Sequence, residues 1–262
     1  MKMRLDQYLT DQGYAESRAR AKRLIEAGAV LLDGAIVTKP AFEIKGAPEI
    51  TVQADRFVGR GGEKLSAALE LFKVDPTGLR ALDIGASTGG FTDCLLQNGA
   101  AEVLALDAGC GQLHPRLRAD RRVINIEKYN ARELDRKDVG EVSLVVMDVS
   151  FISQTYILPR IPAVLAPNGR VLTLIKPQFE AGRAALNKKG IVKAPRDRIL
   201  AIHRVLEAAD ACGLACRGLA PSPVLGGDGN EEYLAFFTRK QSQEQPDRLS
   251  VEKTVLEGAI LK

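Results

Sequence analysis

The sequence predicts an α/β protein: a Rossmann-like sheet of about seven strands, preceded by a small α+β domain. Continuous apolar runs alternate with helical stretches after residue 60, a pattern typical of a parallel sheet covered on both faces. Several of these runs end on a charged residue, and ligands bind at the carboxyl edge of such sheets. The first 58 residues follow a different pattern, with two short helices and a hairpin. We therefore divide the chain into residues 1–58, 59–240 and a tail, 241–262.

Composition is consistent with a globular protein. The 262 residues are 45% hydrophobic, enough for a large core beside a small one. Since the N-terminus lacks the apolar stretch of a signal peptide and no run reaches the roughly 20 residues of a membrane span, we expect a cytoplasmic protein. The net charge of +4 permits a polyanionic partner. Four cysteines without Cys-x-x-Cys spacing predict reduced thiols and no metal site: Cys94, Cys110, Cys212 and Cys216.

The N-terminal domain is predicted to contain two helices and a β-hairpin. The first helix begins at Arg4, and the second, starting near Arg18, runs to Ala27, where Gly28 ends it. Residues 30–37 form the hairpin, with Asp33-Gly34 as its turn. A row of cations on such a short helix is often only a solvated face.

The order of these features resembles the S-four type of RNA-binding domain over about residues 3 to 50. The matching sequence pattern in this chain is Arg-Leu-Asp-x-Tyr-Leu followed by Ser-Arg-x-x-Ala-x-x-Leu-Ile-x-x-Gly-x-Val-x-x-Asp-Gly. The resemblance implies an RNA partner but no particular reaction, because such domains precede several kinds of catalytic domain. It also implies which cations contact RNA phosphates: Arg4, Arg18, Arg20, Lys22 and Arg23.

In the large domain, helices and strands alternate in a regular order. A helix from Gly61 to Phe72 comes first, and a helix between the fourth and fifth strands ends at Pro167-Asn168-Gly169. A loop from Phe179 to Ala194 precedes a helix that begins at Pro195. The seven predicted strands are Ala81–Ile84, Val103–Asp107, Val123–Ile126, Leu144–Asp148, Val171–Lys176, Leu214–Leu219 and Tyr233–Thr238. The tail contains a polar linker, 241–245, and a weak helix, 249–261.

The first strand leads into a glycine-rich turn and then a helix from Phe91. Such a turn exposes backbone N–H groups and lets a ligand approach closely, although a purely structural turn can look the same. The Asp-x-Gly-x-x-x-Gly-Gly spacing resembles motif one of methyltransferases that use S-adenosylmethionine. Asp107 follows Asp83 by 24 residues, near the interval at which a carboxylate meets ribose hydroxyls. The candidate cofactor-binding residues are Asp83, Gly85, Ala86, Ser87, Thr88, Gly89, Gly90, Phe91, Asp107 and Asn130.

Four charged residues far apart in sequence resemble the tetrad of FtsJ-like ribose 2′-O-methyltransferases: Lys64, Asp148, Lys176 and Glu232. With the S-four domain in front, the chain is similar to the TlyA/hemolysin A family of ribosomal RNA methyltransferases. The motifs are Gly-Gly-Glu-Lys-Leu, Asp-Ile-Gly-Ala-Ser-Thr-Gly-Gly-Phe, Asp-Val-Ser-Phe-Ile-Ser, Ile-Lys-Pro-Gln-Phe-Glu and Gly-Asn-Glu-Glu-Tyr. This resemblance implies 2′-O-methylation of cytidine in ribosomal RNA, either as free RNA or in a ribosomal subunit.

The tetrad suits this chemistry because a ribose hydroxyl must be aligned for in-line displacement and must lose a proton. Lys176 serves as the base only when neutral; a neighbouring lysine favours that form and neighbouring carboxylates oppose it, so the sequence leaves its role open. The adjacent Glu231 is an alternative to Glu232. Two other functions also stay open: an inactive RNA-binding assembly factor, and a membrane-active hemolysin, for which the sequence offers no spanning segment.

Overall fold

A computed structural model describes residues 3–26, 28–44, 46–52, 56–226, 229–240 and 248–261. The chain divides into two compact units, Met1–Arg56 and Phe57–Lys262. The predicted linker at 241–245 and the predicted helix end at Ala27 lie outside the described residues.

The N-terminal unit packs two helices with short antiparallel strands. Its elements are β1 (Met3–Arg4), α1 (Leu5–Asp11), α2 (Arg18–Glu26), β2 (Val30–Leu32), β3 (Ala35–Ile36), β4 (Glu43–Ile44) and β5 (Ile50–Val52). β2 lies between β3 and β5, and β1 pairs with β4. Asp33 and Gly34 both have positive φ, as an Asp-Gly hairpin turn requires. Arg4 was predicted to be helical, but it is extended and pairs with Glu43, so α1 begins one residue later.

The second unit is built on one seven-stranded sheet. Its strands are β6 (Arg80–Ile84), β7 (Glu102–Leu106), β8 (Val123–Ile126), β9 (Val142–Met147), β10 (Leu165–Ile175), β11 (Leu214–Pro221) and β12 (Tyr233–Arg239). Its helices are α3 (Gly61–Leu71), α4 (Gly90–Gln97), α5 (Pro115–Arg118), α6 (Arg136–Val139), α7 (Ile161–Val164), α8 (Pro177–Glu180), α9 (Pro195–Ala211) and α10 (Arg248–Glu257). Short 3₁₀ turns lie between several of them.

The strand order is β11-β12-β10-β9-β6-β7-β8, and β12 alone among these strands runs antiparallel to its neighbours. Successive residues of one strand point to opposite faces, and both faces are buried. Leu82 and Val145 pack into one core, whereas Ala81 and Leu144 pack into the core on the other side of the sheet. The predicted α/β sheet with seven strands is confirmed.

Three local predictions need correction. The helix predicted to end at Pro167-Asn168-Gly169 is instead α7, and those three residues lie inside β10. The pairing of β10 with β9 shifts between Leu165 and Arg170, an irregularity where proline and glycine are tolerated. Gly90, predicted in the turn, is the first residue of α4. The segment predicted as a loop from Phe179 to Ala194 begins with the last two residues of α8 and contains a 3₁₀ turn.

The C-terminal helix α10 packs on the core of the second unit. Its residues Val251 and Val255 are buried there, and Leu261 pairs with Leu219 of β11. Within the part of the chain that the structure describes, no helix is long and apolar enough to cross a membrane.

Candidate functional site

The polar residues at the strand ends meet at the carboxyl edge of the sheet. Asp107 follows β7, Asp148 follows β9, and Lys176 follows β10. Glu232 precedes the antiparallel β12 and therefore reaches the same edge. The chain crosses over in opposite directions from β6 and β9, which makes this point a topological switch, the usual ligand crevice of such sheets. A cavity of about 410 Å³ lies here.

The turn after β6 depends on two glycines. Gly85 has φ +86°, and a Cβ there would lie 2.7 Å from the backbone oxygen of Asp148. Gly89 has φ +96°, and its Cβ would clash with Leu117. Any side chain at Gly85 would push apart the ends of β6 and β9. Only glycine therefore allows the turn to pack directly against the backbone of Asp148.

Four of the predicted cofactor-binding residues line this cavity: Gly85, Ser87, Asp107 and Asn130. Ala86 borders a small adjoining pocket. Gly89 faces α5, and Phe91 is buried against Gly61 of α3. The sequence prediction missed several lining residues that no glycine or charge pattern marks: Leu106, Gln112, Tyr129, Val149, Ile152 and Ile157.

Asp107 and Asn130 are held in place by backbone hydrogen bonds. The Asp107 carboxylate accepts from the backbone N–H of Ser87 at 2.8 Å and of Gly109 at 2.7 Å. The Asn130 side chain accepts from the backbone N–H of Arg132 at 3.2 Å. Each side chain is therefore fixed at the cavity wall, the carboxylate at the end of β7 and the amide beyond β8.

Asp83 lies fully buried beneath the turn. Its Oδ2 accepts a hydrogen bond from the Thr92 hydroxyl at 2.7 Å, while its Oδ1 has no partner among the described residues. Burial raises the pKa of this carboxyl to about 7, and the nearby Asp148 charge adds to that shift. Burial of a carboxylate oxygen without a hydrogen-bond partner destabilises the fold. Carboxylates in such surroundings are typical of binding sites.

We expect Asp83→Asn to stabilise the protein. Because the folded pKa lies above the unfolded value of 3.8, wild-type stability should fall as pH rises through the interval from about 4 to 7. Asparagine does not titrate, so the variant's free energy of unfolding should exceed the wild-type value by about 4 kcal/mol at pH 8, and the difference should vanish below pH 4. Urea unfolding at several pH values measures this; a difference independent of pH would contradict it.

The four tetrad residues form two lysine–carboxylate pairs. The Lys64 ammonium lies 2.5 Å from Glu232 Oε2, and both side chains are buried. The Lys176 ammonium lies 2.6 Å from Asp148 Oδ1 and 2.8 Å from the Ser150 hydroxyl. The carboxyl edge of the sheet therefore carries two positive and two negative side chains, in two pairs.

The fold explains why the two pairs are neighbours. Ile175 pairs with Tyr233 across β10 and β12, which sets Lys176 beside Glu232 in the register of the two strands. The Gln178 amide donates to Glu232 Oε1 at 3.4 Å. Lys64 comes from α3, whose Gly61 approaches the Asp148 carboxylate so closely that a Cβ there would lie 3.6 Å from it.

Glu232 and Glu231 differ in surroundings although they are adjacent in sequence. The Glu232 side chain is 2% exposed and contacts Lys64, whereas Glu231 is 49% exposed and pairs with Arg198 at 3.2 Å. Only Glu232 points to the other tetrad members. This geometry favours the choice of Glu232 made from the sequence.

A buried carboxylate joins the loops that carry Asp148 and Lys176. Glu180 accepts hydrogen bonds from the Ser153 hydroxyl and from the backbone N–H of Gln154, the latter at 2.9 Å. Burial raises the pKa of Glu180, and these bonds oppose the shift. Ser153 and Glu180 belong to the motifs that follow the two strands, so the motifs fix one loop against the other as well as supplying charge.

Two aromatic side chains stand beside Lys176. Phe151 is 93% exposed and has φ +64°, a strained conformation for a side chain of this size. Its ring centroid is 5.3 Å from that of Phe179. Both line a groove of about 850 Å³ next to the first cavity. A strained backbone conformation is kept only where the surrounding structure enforces it, and such residues are common at ligand-binding sites.

The N-terminal unit holds part of its predicted RNA-binding set in place through Asp6, which the sequence analysis missed. Arg4 donates two hydrogen bonds to this buried carboxylate, at 3.0 and 2.8 Å, and Arg18 donates another at 3.3 Å. The bonds from Arg4 and Arg18 lower the pKa of Asp6 to about 2. Lys22 lies 3.7 Å from Glu26, and Arg23 is exposed. Asp6 therefore orients Arg4 of β1 and Arg18 of α2, while Lys22 and Arg23 remain exposed on α2.

Metal ligands do not cluster in the described part of the chain, where no group of three histidine, cysteine or acidic side chains is arranged to hold an ion. The four cysteines are free thiols.

Comparison with known families and proteins gives matches over both units. Residues 57–239 match the FtsJ-like methyltransferase family, and residues 3–50 match the S4 domain. The chain is 45% identical to Hemolysin A of Brachyspira hyodysenteriae, with 90% of this chain and 99% of that protein covered. It is 42% identical to the 16S/23S rRNA (cytidine-2'-O)-methyltransferase TlyA of Mycobacterium tuberculosis, with 89% of each covered.

A solved structure also resembles the chain. A protein from Streptococcus thermophilus, named as a hemolysin, superposes with a TM-score of 0.77 at 39% identity, and the match covers 98% of this chain and 95% of that one. The similarity therefore extends over both units and is not limited to the sheet.

Proposed function

Since this chain belongs to the TlyA/hemolysin A family of FtsJ-like methyltransferases with an S4 domain, we propose that it transfers a methyl group from S-adenosylmethionine to a ribose 2′-hydroxyl of ribosomal RNA. The acceptor is a cytidine, either in free ribosomal RNA or in a ribosomal subunit. The observation that carries the proposal is the presence of two lysine–carboxylate pairs at the carboxyl edge of the sheet, Lys64–Glu232 and Lys176–Asp148, of which Asp148 also lines the cavity.

The cavity fits the cofactor by the character of the groups around it. Asp107 and Asn130 offer polar atoms for a nucleoside at one wall, and Gly85, packed against the backbone of Asp148, lines the same cavity. The buried, unpartnered Oδ1 of Asp83 lies beneath the same turn and suits a hydrogen-bonded or cationic group. When bound, S-adenosylmethionine supplies an activated methyl group on a sulfonium centre.

The tetrad prepares the acceptor hydroxyl. Lys176, held by Asp148 and Ser150, positions the 2′-hydroxyl, and in its neutral amine form it accepts the hydroxyl proton as the oxygen attacks. Lys64 and Glu232 neutralise each other and hold the neighbouring wall, so that the hydroxyl meets a rigid site. Alignment of this kind reduces the entropic part of the barrier.

Recognition of RNA uses both units. In the S4 domain, Arg4 and Arg18, oriented by Asp6, with Arg20, Lys22 and Arg23, contact phosphates. Near the tetrad, the exposed Phe151 ring offers a flat surface on which an unstacked base can lie, the usual way in which single-stranded RNA is recognised.

Two other functions receive less support. Burial of the Lys64–Glu232 pair costs stability, because both charges are removed from water. An inactive assembly factor would need neither this pair nor the Lys176–Asp148 pair beside it. A membrane-active role rests only on the names of relatives, and the described residues contain no helix that could span a bilayer.

Mapping of 2′-O-methyl sites on ribosomal RNA tests the proposal. Cells that have the gene should carry at least one ribose-methylated cytidine that is absent from cells without it, and an active copy of the gene should restore the modification. Identical methylation maps in the two strains would overturn the proposed function.

A further inference from the structure

Residues 183–196 follow the Lys176 loop and form a segment that we call the basic hairpin. This stretch has five lysines and arginines and no acid, a net charge of +5, whereas the whole chain has +4. All five are exposed: Arg183, Lys188, Lys189, Lys193 and Arg196. Among the residues that the structure describes, no carboxylate forms an ion pair with any of them. Such concentrated charge is unfavourable by self-repulsion unless a polyanion binds it.

The basic hairpin has a defined conformation. Leu186 and Val192 pair as an antiparallel bridge. Between them, the Asn187 side-chain oxygen accepts from the backbone N–H groups of Lys189 and Ile191, at 2.8 and 3.0 Å. Lys188 and Lys189 thereby lie at the tip of a tight turn, and both are exposed.

Asn230 ties the hairpin to the tetrad. Its buried side chain accepts from the backbone N–H of Val192 and donates to the backbone oxygen of Gly190, each at 3.2 Å. Asn230 stands two residues before Glu232, whose carboxylate binds Lys64. The position of the cationic tip relative to the tetrad is therefore fixed by two hydrogen bonds and a short stretch of backbone.

The base of the hairpin opens into the groove that contains the aromatic residues. Arg183 lines that groove together with Phe151 and Phe179. Arg132 and Tyr156 line the same groove, and the Arg132 guanidinium lies 4.9 Å from the centre of the Tyr156 ring. Aromatic rings can stack on bases, and the cations beside them can bind phosphates. An acidic protein or a lipid headgroup would bind the cations without stacking on the rings.

We propose that the basic hairpin, residues 183–196, binds the phosphates of the RNA strand next to the methylated nucleotide, so that the strand runs from the aromatic groove along the hairpin. This inference rests on the proposed function and deepens it, because it assigns a second RNA contact separate from the S4 domain. The hairpin acts on RNA affinity, and the chemistry stays with the tetrad.

The test is charge reversal in the full-length protein. Lys188→Glu/Lys189→Glu should weaken binding to ribosomal subunits from cells lacking the gene by about tenfold at moderate salt. It should lower the slope of log Kd against log salt by roughly 1.5, the value for two lost phosphate contacts. Methylation should reach nearly the wild-type rate at saturating subunit concentration, and S-adenosylmethionine affinity should be unchanged.

The matched control is Arg121→Glu/Lys137→Glu, which changes the net charge equally. These two exposed residues precede β8 and β9, at the amino edge of the sheet and away from the site. The control should bind subunits almost as wild type. If the hairpin variant binds as well as wild type, or both variants weaken equally, the basic hairpin is not an RNA contact. Wild-type protein that methylates no RNA in the same assay would instead contradict the proposed function.

Discussion

Replacement of Lys176 by alanine should slow methyl transfer by roughly 10²-fold or more in a single turnover, the usual value of a group that moves a proton in the transition state. The variant should bind RNA and S-adenosylmethionine normally, because the Lys176 ammonium contacts only Asp148 and Ser150 within the part of the chain that the structure describes. Rapid quench with labelled cofactor measures the rate, and calorimetry measures the two affinities.

Two companion variants sharpen this expectation. Lys176→Arg keeps the charge beside Asp148 but does not accept a proton at neutral pH, so it should stay slow if proton removal matters. Ser150→Ala removes the other contact of the ammonium and should have a smaller effect. A Lys176→Ala enzyme with a normal single-turnover rate would show that Lys176 has no part in the chemistry.

Lys64→Ala should affect stability as strongly as activity. It leaves the Glu232 carboxylate, 2% exposed, without its cation, and breaking a buried pair in this way costs about 3–5 kcal/mol. We expect the free energy of unfolding in urea to fall by that amount. Methyl transfer should also fall, by roughly 10²-fold, because the wall beside Lys176 is no longer rigid.

A double variant separates the two effects. Lys64→Met/Glu232→Gln removes both charges and keeps the volumes similar, so it should recover most of the stability lost in Lys64→Ala. Its methylation rate should remain low. Full activity in the double variant would mean that this pair serves only the fold.

The sequence predicted the sheet because its strands are buried on both faces and therefore form continuous apolar runs. It also placed Asp148, Lys176 and Glu232 at strand ends, and Lys64 on the helix that precedes the sheet. The arrangement into pairs was not predictable, because the partner of Lys64 depends on how α3 packs against the amino end of β12. Pattern alone does not distinguish Lys64–Glu232 from Lys64–Asp148.

Other features lay beyond the sequence for different reasons. The helix expected before the fifth strand was misplaced because Pro167 and Gly169 normally end a helix, whereas here they lie at an irregular pairing inside β10. Asp6 looked like an ordinary acid in a helix, and only tertiary packing shows that it orients two arginines. Phe151 gave no signal, since its exposure and positive φ arise from the loop around it.

Nucleoside mass spectrometry of ribosomal RNA, after ribosomal subunits from cells lacking the gene are incubated with the protein and S-adenosylmethionine, tests the central claim most directly. We expect 2′-O-methylcytidine to form with wild-type protein and not with Lys176→Ala. A methylated base in place of a methylated ribose, or equal product from both proteins, would contradict it.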